Sequence, residues 1–182
     1  MAIRTIEELL LGCRQQDRTA QRALYDQFCD FAMRACYKYA VDVPEAQDMV
    51  QNTFVRVFTH IHEYDPAKGT FVNWLHRIAV REAIAVKRKN ARLQFDESAL
   101  AQLNPVAAGD IFEKMTLDEI KASILKLPEN HRTILMLHYF DGFAHDEIAE
   151  LLQIEVSSSR ARLSRARSEL LHEWQHLKFA GL

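Results

Sequence analysis

The chain has 182 residues, 48% hydrophobic and 26% charged, which suits one medium domain or two small soluble ones. Only 5 glycines and 4 prolines exclude collagen-like and low-complexity chains. The 23 basic and 25 acidic side chains leave a formal net charge of -2, which excludes a uniformly basic protein that coats DNA by charge alone.

The charge is unevenly spread. Residues 1–70 carry net -2, residues 71–92 net +5, residues 93–155 net -8 and residues 156–182 net +3. Two short basic bands separated by an acidic stretch fit two contacts with a polyanion, or else two solvated helix faces. The cysteines, Cys13, Cys29 and Cys36, are odd in number and form no C-x-x-C pair, so neither a disulfide framework nor a zinc knuckle is expected. Cys29 and Cys36 sit in an apolar pattern and read as core. No apolar run approaches the roughly 20 residues that span a bilayer. The start, Met1-Ala2-Ile3-Arg4-Thr5, lacks the apolar stretch of a signal peptide, so a reducing cytoplasm is the expected compartment.

Nearly every apolar pattern has a period near 3.6, and none shows a sustained strand alternation. The expected fold class is therefore all-α: two small helical bundle domains joined by a linker. Thr5-Ile6-Glu7-Glu8 reads as a capping box, with Ile6, Leu9, Leu10 and Cys13 on one face. A second helix opens near Asp17, buries Leu24, Phe28, Phe31, Ala35 and Tyr39, and stops before Val43-Pro44. A third runs from about Pro44 to His62 on a stripe of Ala46, Met49, Val50, Val57, Phe58 and Ile61. Asp65-Pro66-Ala67-Lys68-Gly69 has turn chemistry. A fourth helix runs from about Thr70 to Asn90 and packs Phe71, Leu75, Ile78 and Ala79. These helices form the first domain, residues 1–92.

Residues 93–116 contain Asn104-Pro105 and Gly109, have weak periodicity and exceed ordinary connection lengths, so a linker with at most a short helical piece is expected. The second domain, 117–182, follows a second capping box, Thr116-Leu117-Asp118-Glu119, with Ile120, Ile124 and Leu127 as its stripe. Pro128 ends that helix and opens the next, which carries Ile134, Leu137 and His138 and closes at Asp141-Gly142. A short helix spans about His145 to Leu152. After Gln153-Ile154-Glu155-Val156, a long helix runs from Ser157 to about Lys178 with Leu163, Ala166, Leu170, Trp174 and Leu177 as its stripe.

The last two helices and their tight turn form a helix-turn-helix. Its second helix opens Ser157-Ser158-Ser159-Arg160-Ala161-Arg162 and continues to Arg165 and Arg167. A serine caps free N–H groups, a helix start attracts phosphate, and arginine grips phosphate or guanine, so this helix is expected to contact DNA. A second basic face, Arg77, Arg81 and Arg88 with Lys87 and Lys89 beside it, follows the aromatics Tyr64, Phe71 and Trp74. Such a face holds phosphates and stacks an unpaired base; the alternative places Phe71 and Trp74 in the core and the cations at a solvated helix end. A third feature is the polar stripe Asp48, Gln51, Asn52 and Arg56, which is either solvated surface or a protein-docking face.

Those residues carry a resemblance. Asp48-Met49-Val50-Gln51-Asn52-Thr53-Phe54 resembles the D-x-V-Q-E-x-F segment of sigma region 2. Phe71-Val72-Asn73-Trp74-Leu75-His76-Arg77-Ile78-Ala79 resembles the F-x-x-W-L-x-R-I-A signature that follows it. Leu127-Pro128-Glu129-Asn130-His131-Arg132, Tyr139-Phe140-Asp141-Gly142, Glu147-Ile148-Ala149-Glu150-Leu151-Leu152 and Arg162-Leu163-Ser164-Arg165-Ala166-Arg167 resemble region 4. In this order and spacing, over about Ala23–Asn90 and Leu117–Leu171, the chain resembles the extracytoplasmic-function (ECF) group of bacterial RNA polymerase sigma factors.

The resemblance implies a promoter-specificity factor without catalytic activity, metal or cofactor. Its implied partners are core RNA polymerase, through the β′ clamp helices and the β flap, promoter DNA and an anti-sigma factor. Asp48, Gln51, Asn52 and Phe54 fall at polymerase-docking positions. Tyr64, Asp65, Lys68 and Thr70 belong to the loop that holds a flipped base of the -10 element, and Asn73, Trp74, Arg77, Arg81 and Arg88 would adjoin that element. Ser157, Ser158, Arg160, Ala161, Arg162 and Arg165 would face the -35 element. The chain departs from the family pattern at Asn52 (usually Glu), Arg81 (often Asn), Ala144 (commonly Ser or Thr) and Ser159 (usually apolar). A lost cap at Ala144 costs about 1 kcal/mol and would fray the short helix. A hydroxyl at Ser159 either loosens packing or finds a cap-like bond.

Two other classes account for parts of the sequence. A stand-alone helix-turn-helix regulator explains the C-terminal arginines but not the Asp48–Phe54 and Trp74–Ala79 matches. A helical metalloenzyme using His60/His62 or His131/His138/His145 lacks an H-E-x-x-H motif, and no Ser-His-Asp or Walker-type arrangement is present.

Overall fold

The structure, a computed structural model, describes residues 5–89 and 117–180. The expected linker 93–116, the capping residue Thr116, and Asn90 lie outside the described residues, as does the side chain of Leu177. Among the described residues every regular element is helical. They are α1 (Ile6–Arg14), α2 (Arg18–Tyr37), α3 (Val43–His60), two 3-10 turns (Ile61–Glu63, Pro66–Lys68), α4 (Phe71–Lys89), α5 (Leu117–Lys126), α6 (Glu129–Leu135), a π turn (Met136–Phe140), α7 (His145–Leu152) and α8 (Val156–Ala180). The chain divides into two compact units, Met1–Lys87 and Arg88–Leu182.

In the first unit each helix start is set by a local acceptor. Thr5 Oγ1 accepts the Glu8 N–H at 3.3 Å, and the Glu8 carboxylate accepts the Thr5 N–H at 2.9 Å. Asp17 accepts from Thr19 at 2.9 Å and opens α2; Asp42 accepts from Glu45 at 2.8 Å and opens α3. These bonds satisfy N–H groups that a helix start otherwise leaves without partners. Gly12 marks a close approach of α1 to α2. A Cβ there would lie 2.5 Å from the Ala20 Cβ, so any larger residue would force the helices apart. Leu9, Leu10, Cys13, Leu24, Val57, Ile61, Phe71 and Leu75 form one buried cluster beneath α1 and α4.

Three side chains differ from their sequence reading. Cys29 is half-buried rather than core. Phe54 is 3% exposed, its ring 4.8 Å from that of Tyr25 and 5.9 Å from that of Phe58. It therefore lies behind the polar stripe, because i+4 spacing from Val50 returns it to the buried face. Lys87 is 1% exposed and does not join the basic face. Its ammonium lies 3.5 Å from the Glu45 carboxylate.

In the second unit α5, α6 and α7 all pack on α8. Ile120, Ile124, Ile134, Leu135, Ile148, Leu163, Ala166 and Leu170 are buried between them. The Trp174 indole N–H donates to Ser123 Oγ at 2.9 Å, which pairs α8 to α5 without leaving a buried donor unsatisfied. His131 on α6 lies 3.1 Å from Glu169 on α8. The helix expected to run from Pro128 to Asp141 widens instead into the π turn, where the Asp141 N–H reaches back to the Met136 carbonyl at 3.1 Å. Gly142 then reverses the chain at φ 72°. Helix α8 begins at Val156, one residue earlier than expected.

Candidate polymerase and nucleic-acid interfaces

The buried side of α3 is Ala46, Met49, Val50, Thr53, Phe54 and Val57. The helical period leaves Asp48, Gln51 and Asn52 together on the exposed side. Val55, 66% exposed, continues that side, and Arg56 borders it with its guanidinium 3.3 Å from Glu82 on α4. The sequence reading missed Val55. Its signal was the i+4 step from Gln51 and i+3 from Asn52.

The loop after α3 is tied down at three points. Arg14 donates to the Tyr64 carbonyl at 2.8 Å, Asp65 accepts from Ala67 at 3.0 Å, and the Tyr64 hydroxyl donates to the Gly69 carbonyl at 3.1 Å. Tyr64 itself is only 9% exposed, with ring centroids 5.7 Å from Phe71 and 5.6 Å from Trp74. Its ring is the floor of the loop, while Asp65, Lys68 and Thr70 are exposed above it. Thr70 Oγ1 accepts the Asn73 N–H at 3.3 Å and so starts α4.

On α4, Asn73 and Arg88 are exposed, whereas Trp74, Arg77 and Arg81 are half-buried. The last three share a cleft of about 330 Å3 with Ile78 and, from the end of α3 and its turn, Arg56, His60 and Glu63. Burial first, and the neighbouring Arg81 charge second, pull the Arg77 guanidinium below its ordinary pKa. The His60 ring, 2.8 Å from Glu63, holds that carboxyl below the usual range. A cleft with three guanidinium groups, an indole wall and one carboxylate can take a phosphate and an unstacked base. Sequence reasoning found Trp74, Arg77 and Arg81 but not His60 or Glu63, which reach the cleft from another element.

In the second unit α7 and α8 are joined at Gln153, whose φ of 54° lies in the left-handed region. The Ile154 N–H returns to the Ala149 carbonyl at 3.0 Å and closes the turn. On α8, Leu163 and Ala166 are buried, and Ser157, Arg160, Ala161, Ser164 and Arg165 face outward together. Ser158 and Arg162 flank this face and are half-buried. Ser164, not singled out from the sequence, belongs to the exposed set by its i+3 step from Ala161. Ala144 gives α7 no side-chain cap, but Glu147 still accepts the Ala144 N–H at 3.0 Å. Ser159 is fully buried and finds a partner, the His145 ring at 2.9 Å.

Residues 24–93 match Sigma-70 region 2 and residues 117–170 match Sigma-70, region 4. The chain is 29% identical over 184 residues to the ECF RNA polymerase sigma factor SigW of Bacillus subtilis, covering 94% of this chain and 98% of that protein. It is 30% identical to the RNA polymerase sigma-H factor of Pseudomonas aeruginosa, over 73% of this chain and 75% of that one. Against the ECF sigma factor SigE of Mycolicibacterium smegmatis it is 29% identical, over 81% of this chain and 58% of that one. The chain belongs to the ECF group of RNA polymerase sigma factors. As an ECF sigma factor it acts in promoter-specific transcription initiation, and both polymerase and promoter DNA are its partners. The sigma region 2 match contains the α3 stripe and the α4 cleft, and the region 4 match contains the helix-turn-helix. No helix among the described residues is long and apolar enough to cross a membrane.

Proposed function

We propose that this ECF sigma factor docks on the polymerase β′ clamp helices through the α3 stripe of Asp48, Gln51, Asn52 and Val55, with Phe54 holding the stripe from behind. The carrying observation is that these four side chains stand together on the exposed side of α3 within the region 2 match. The loop of Asp65, Lys68 and Thr70, floored by Tyr64, takes a flipped base of the -10 element, and Asn73, Trp74, Arg77, Arg81 and Arg88 line the path of its backbone. Ser157, Ser158, Arg160, Ala161, Arg162 and Arg165 on α8 read the -35 element, with the second module beside the β flap. The domains are 1–92 and 117–182, with 93–116 as a linker.

The mechanism is binding. Two modules held on one polymerase engage two promoter elements, so their separate affinities combine through effective concentration. Capture of an unstacked base offsets the few kcal/mol, roughly, that unstacking costs and so helps open the duplex. The protein makes and breaks no bond itself, needs no cofactor or metal, and works in the cytoplasm with polymerase. An anti-sigma factor that covers the α3 stripe or the α8 face would hold it inactive.

Run-off transcription with core polymerase, this protein and genomic DNA fragments tests the reading. Selective start sites that vanish in the Asp48→Ala/Gln51→Ala variant support it. Selective starts that survive in a variant whose core pull-down is undiminished overturn the docking assignment.

A further inference from the structure

Three elements of the second unit meet around two imidazoles. His145, the first residue of α7, places Nδ1 at 2.9 Å from Oγ of Ser159 in the first turns of α8. The His145 ring lies flat on that of His138 in the π turn, with centroids 4.8 Å apart and planes at 13°. His138 Nδ1 is 3.0 Å from the Phe143 carbonyl; a carbonyl only accepts, so that nitrogen carries the hydrogen. The Phe143 carbonyl therefore fixes His138, the stacked ring fixes His145, and His145 holds Ser159.

Ser159 is fully buried and sits between Ser158 and Arg160, directly behind the outward face of α8. The region before α7 supplies no side-chain cap of its own, since Ala144 has no acceptor. The start of α7 and the start of α8 are thus joined by one polar bond.

We propose that His145 is a positioning residue for promoter recognition: through Ser159, and backed by His138, it fixes the first turns of α8 and makes sequence-specific binding by α8 fall as the pH is lowered. This rests on the reading of α8 as the -35 contact. The groups facing the His145 ring are His138 from the π turn, Arg160 from α8 and Asp146 from its own helix. Burial, His138 and Arg160 hold the ring below its usual pKa of 6.5, and Asp146 opposes them. The sign follows from that direction. A histidine depressed in the folded state contributes its full stabilisation above 6.5 and loses it as the pH falls from there through the folded value. Below that value a charged ring faces Arg160 and His138, and the α7–α8 joint is pushed apart.

The test uses the full chain bound to core polymerase. The probe is the duplex that the wild-type complex enriches from a random library. Specific affinity, measured against scrambled duplex, should fall by about threefold or more between about pH 7.5 and about pH 5.5 in the wild type. His145→Asn keeps an amide where Nδ1 stood but does not titrate, so its profile should be flat. Ser159→Ala should bind more weakly at the higher pH and also be flat. Wild-type and His145→Asn profiles that superimpose overturn the proposal. Imidazole 15N titration of the free wild-type chain gives a second readout that needs no variant to fold. A His145 midpoint below 6.5 supports the proposal, and an ordinary midpoint overturns it. Failure of the wild type to enrich any sequence at either pH, with His145 still titrating low, sinks the -35 reading and the proposal with it. An enriched sequence bound with no pH dependence sinks the proposal alone.

Discussion

The Lys87 ammonium, 1% exposed at the end of α4, lies 3.5 Å from the Glu45 carboxylate near the start of α3. The same carboxylate accepts the Val41 N–H at 2.6 Å, so one acidic group both caps the chain entering α3 and neutralises a buried cation. Removing a partner from such a pair leaves the other charge buried and uncompensated, which costs far more than replacing the cation by an apolar chain of similar length. Glu45→Ala is expected to destabilise the first unit by about 3 kcal/mol, and Lys87→Met to stay within about 1 kcal/mol of wild type. Urea unfolding of the full chain, followed through the first unit's signals, checks both. Equal losses in the two variants would show that packing rather than charge decides.

Tyr64 makes a different kind of tie. Its hydroxyl reaches the Gly69 carbonyl across the loop that leads into α4, and its ring lies on Phe71 and Trp74. Tyr64→Phe keeps the ring contacts and deletes only the hydrogen bond, which is expected to cost about 1 kcal/mol. The loop's exposed residues keep their chemistry but lose a fixed backbone. Run-off transcription from a linear template should therefore drop more than core-polymerase binding does. Unchanged transcription beside a measured stability loss would separate the loop from promoter opening.

The starts of α1 and α2 were legible because Thr5 and Asp17 act on N–H groups two or three residues away; Asp42 does the same for α3, which the sequence reading starts at about Pro44. The polar face of α3 was legible because its period is 3.6. Lys87 followed the same rule but was assigned by chemical type, and Phe54 followed it but was assigned by its place in the sigma region 2 resemblance. Val80, Ala83 and Ile84 precede Lys87 at helical spacing and place it on the buried face. The π turn had no such signal, since Met136–Phe140 continues the helical pattern. Nor could spacing reveal that His145 meets Ser159, 14 residues away, or that His60 and Glu63 turn into a cleft lined by α4.

The cysteines differ in environment in a way that alkylation can read. Burial, with the Asp17 carboxylate nearby, pushes the Cys13 thiol up to about 11. Burial pushes Cys36 up to about 12, against the opposing Thr53 hydrogen bond. A thiolate is the reactive form, so both should be inert in the folded chain. Cys29 is half-buried and should take up iodoacetamide first. Mass spectrometry of the native protein is expected to show one modified cysteine, with three after unfolding. Native labelling at Cys13 or Cys36 would contradict the burial described.

Val55 separates docking from folding on α3. It is 66% exposed, so Val55→Glu removes little buried area and should leave the thermal midpoint unchanged. A carboxylate in the centre of an interface is costly, and affinity for core polymerase should fall by about tenfold or more. Phe54→Ala acts in the opposite way: it opens a cavity behind the stripe and should cost about 3 kcal/mol of stability. Surface binding to immobilised core polymerase, run beside thermal unfolding, distinguishes them. Full affinity in Val55→Glu would move the interface off this face.

On α8 the arginines are not equivalent. Arg160 and Arg165 stand on the outward face with Ser157, Ala161 and Ser164, whereas Arg162 is half-buried beside it. An exposed arginine that grips a guanine edge is worth about 1–3 kcal/mol of discrimination, and one that meets only phosphate lowers the salt slope by about 0.9 without changing sequence preference. Arg165→Ala and Arg160→Ala should each weaken -35 occupancy in a footprint more than Arg162→Ala does. Measuring occupancy against salt for each variant tells base readout from backbone contact. If Arg162→Ala alone abolished occupancy while the two outward arginines were dispensable, the DNA would have to approach α8 from its flank, and the outward face would belong to another partner.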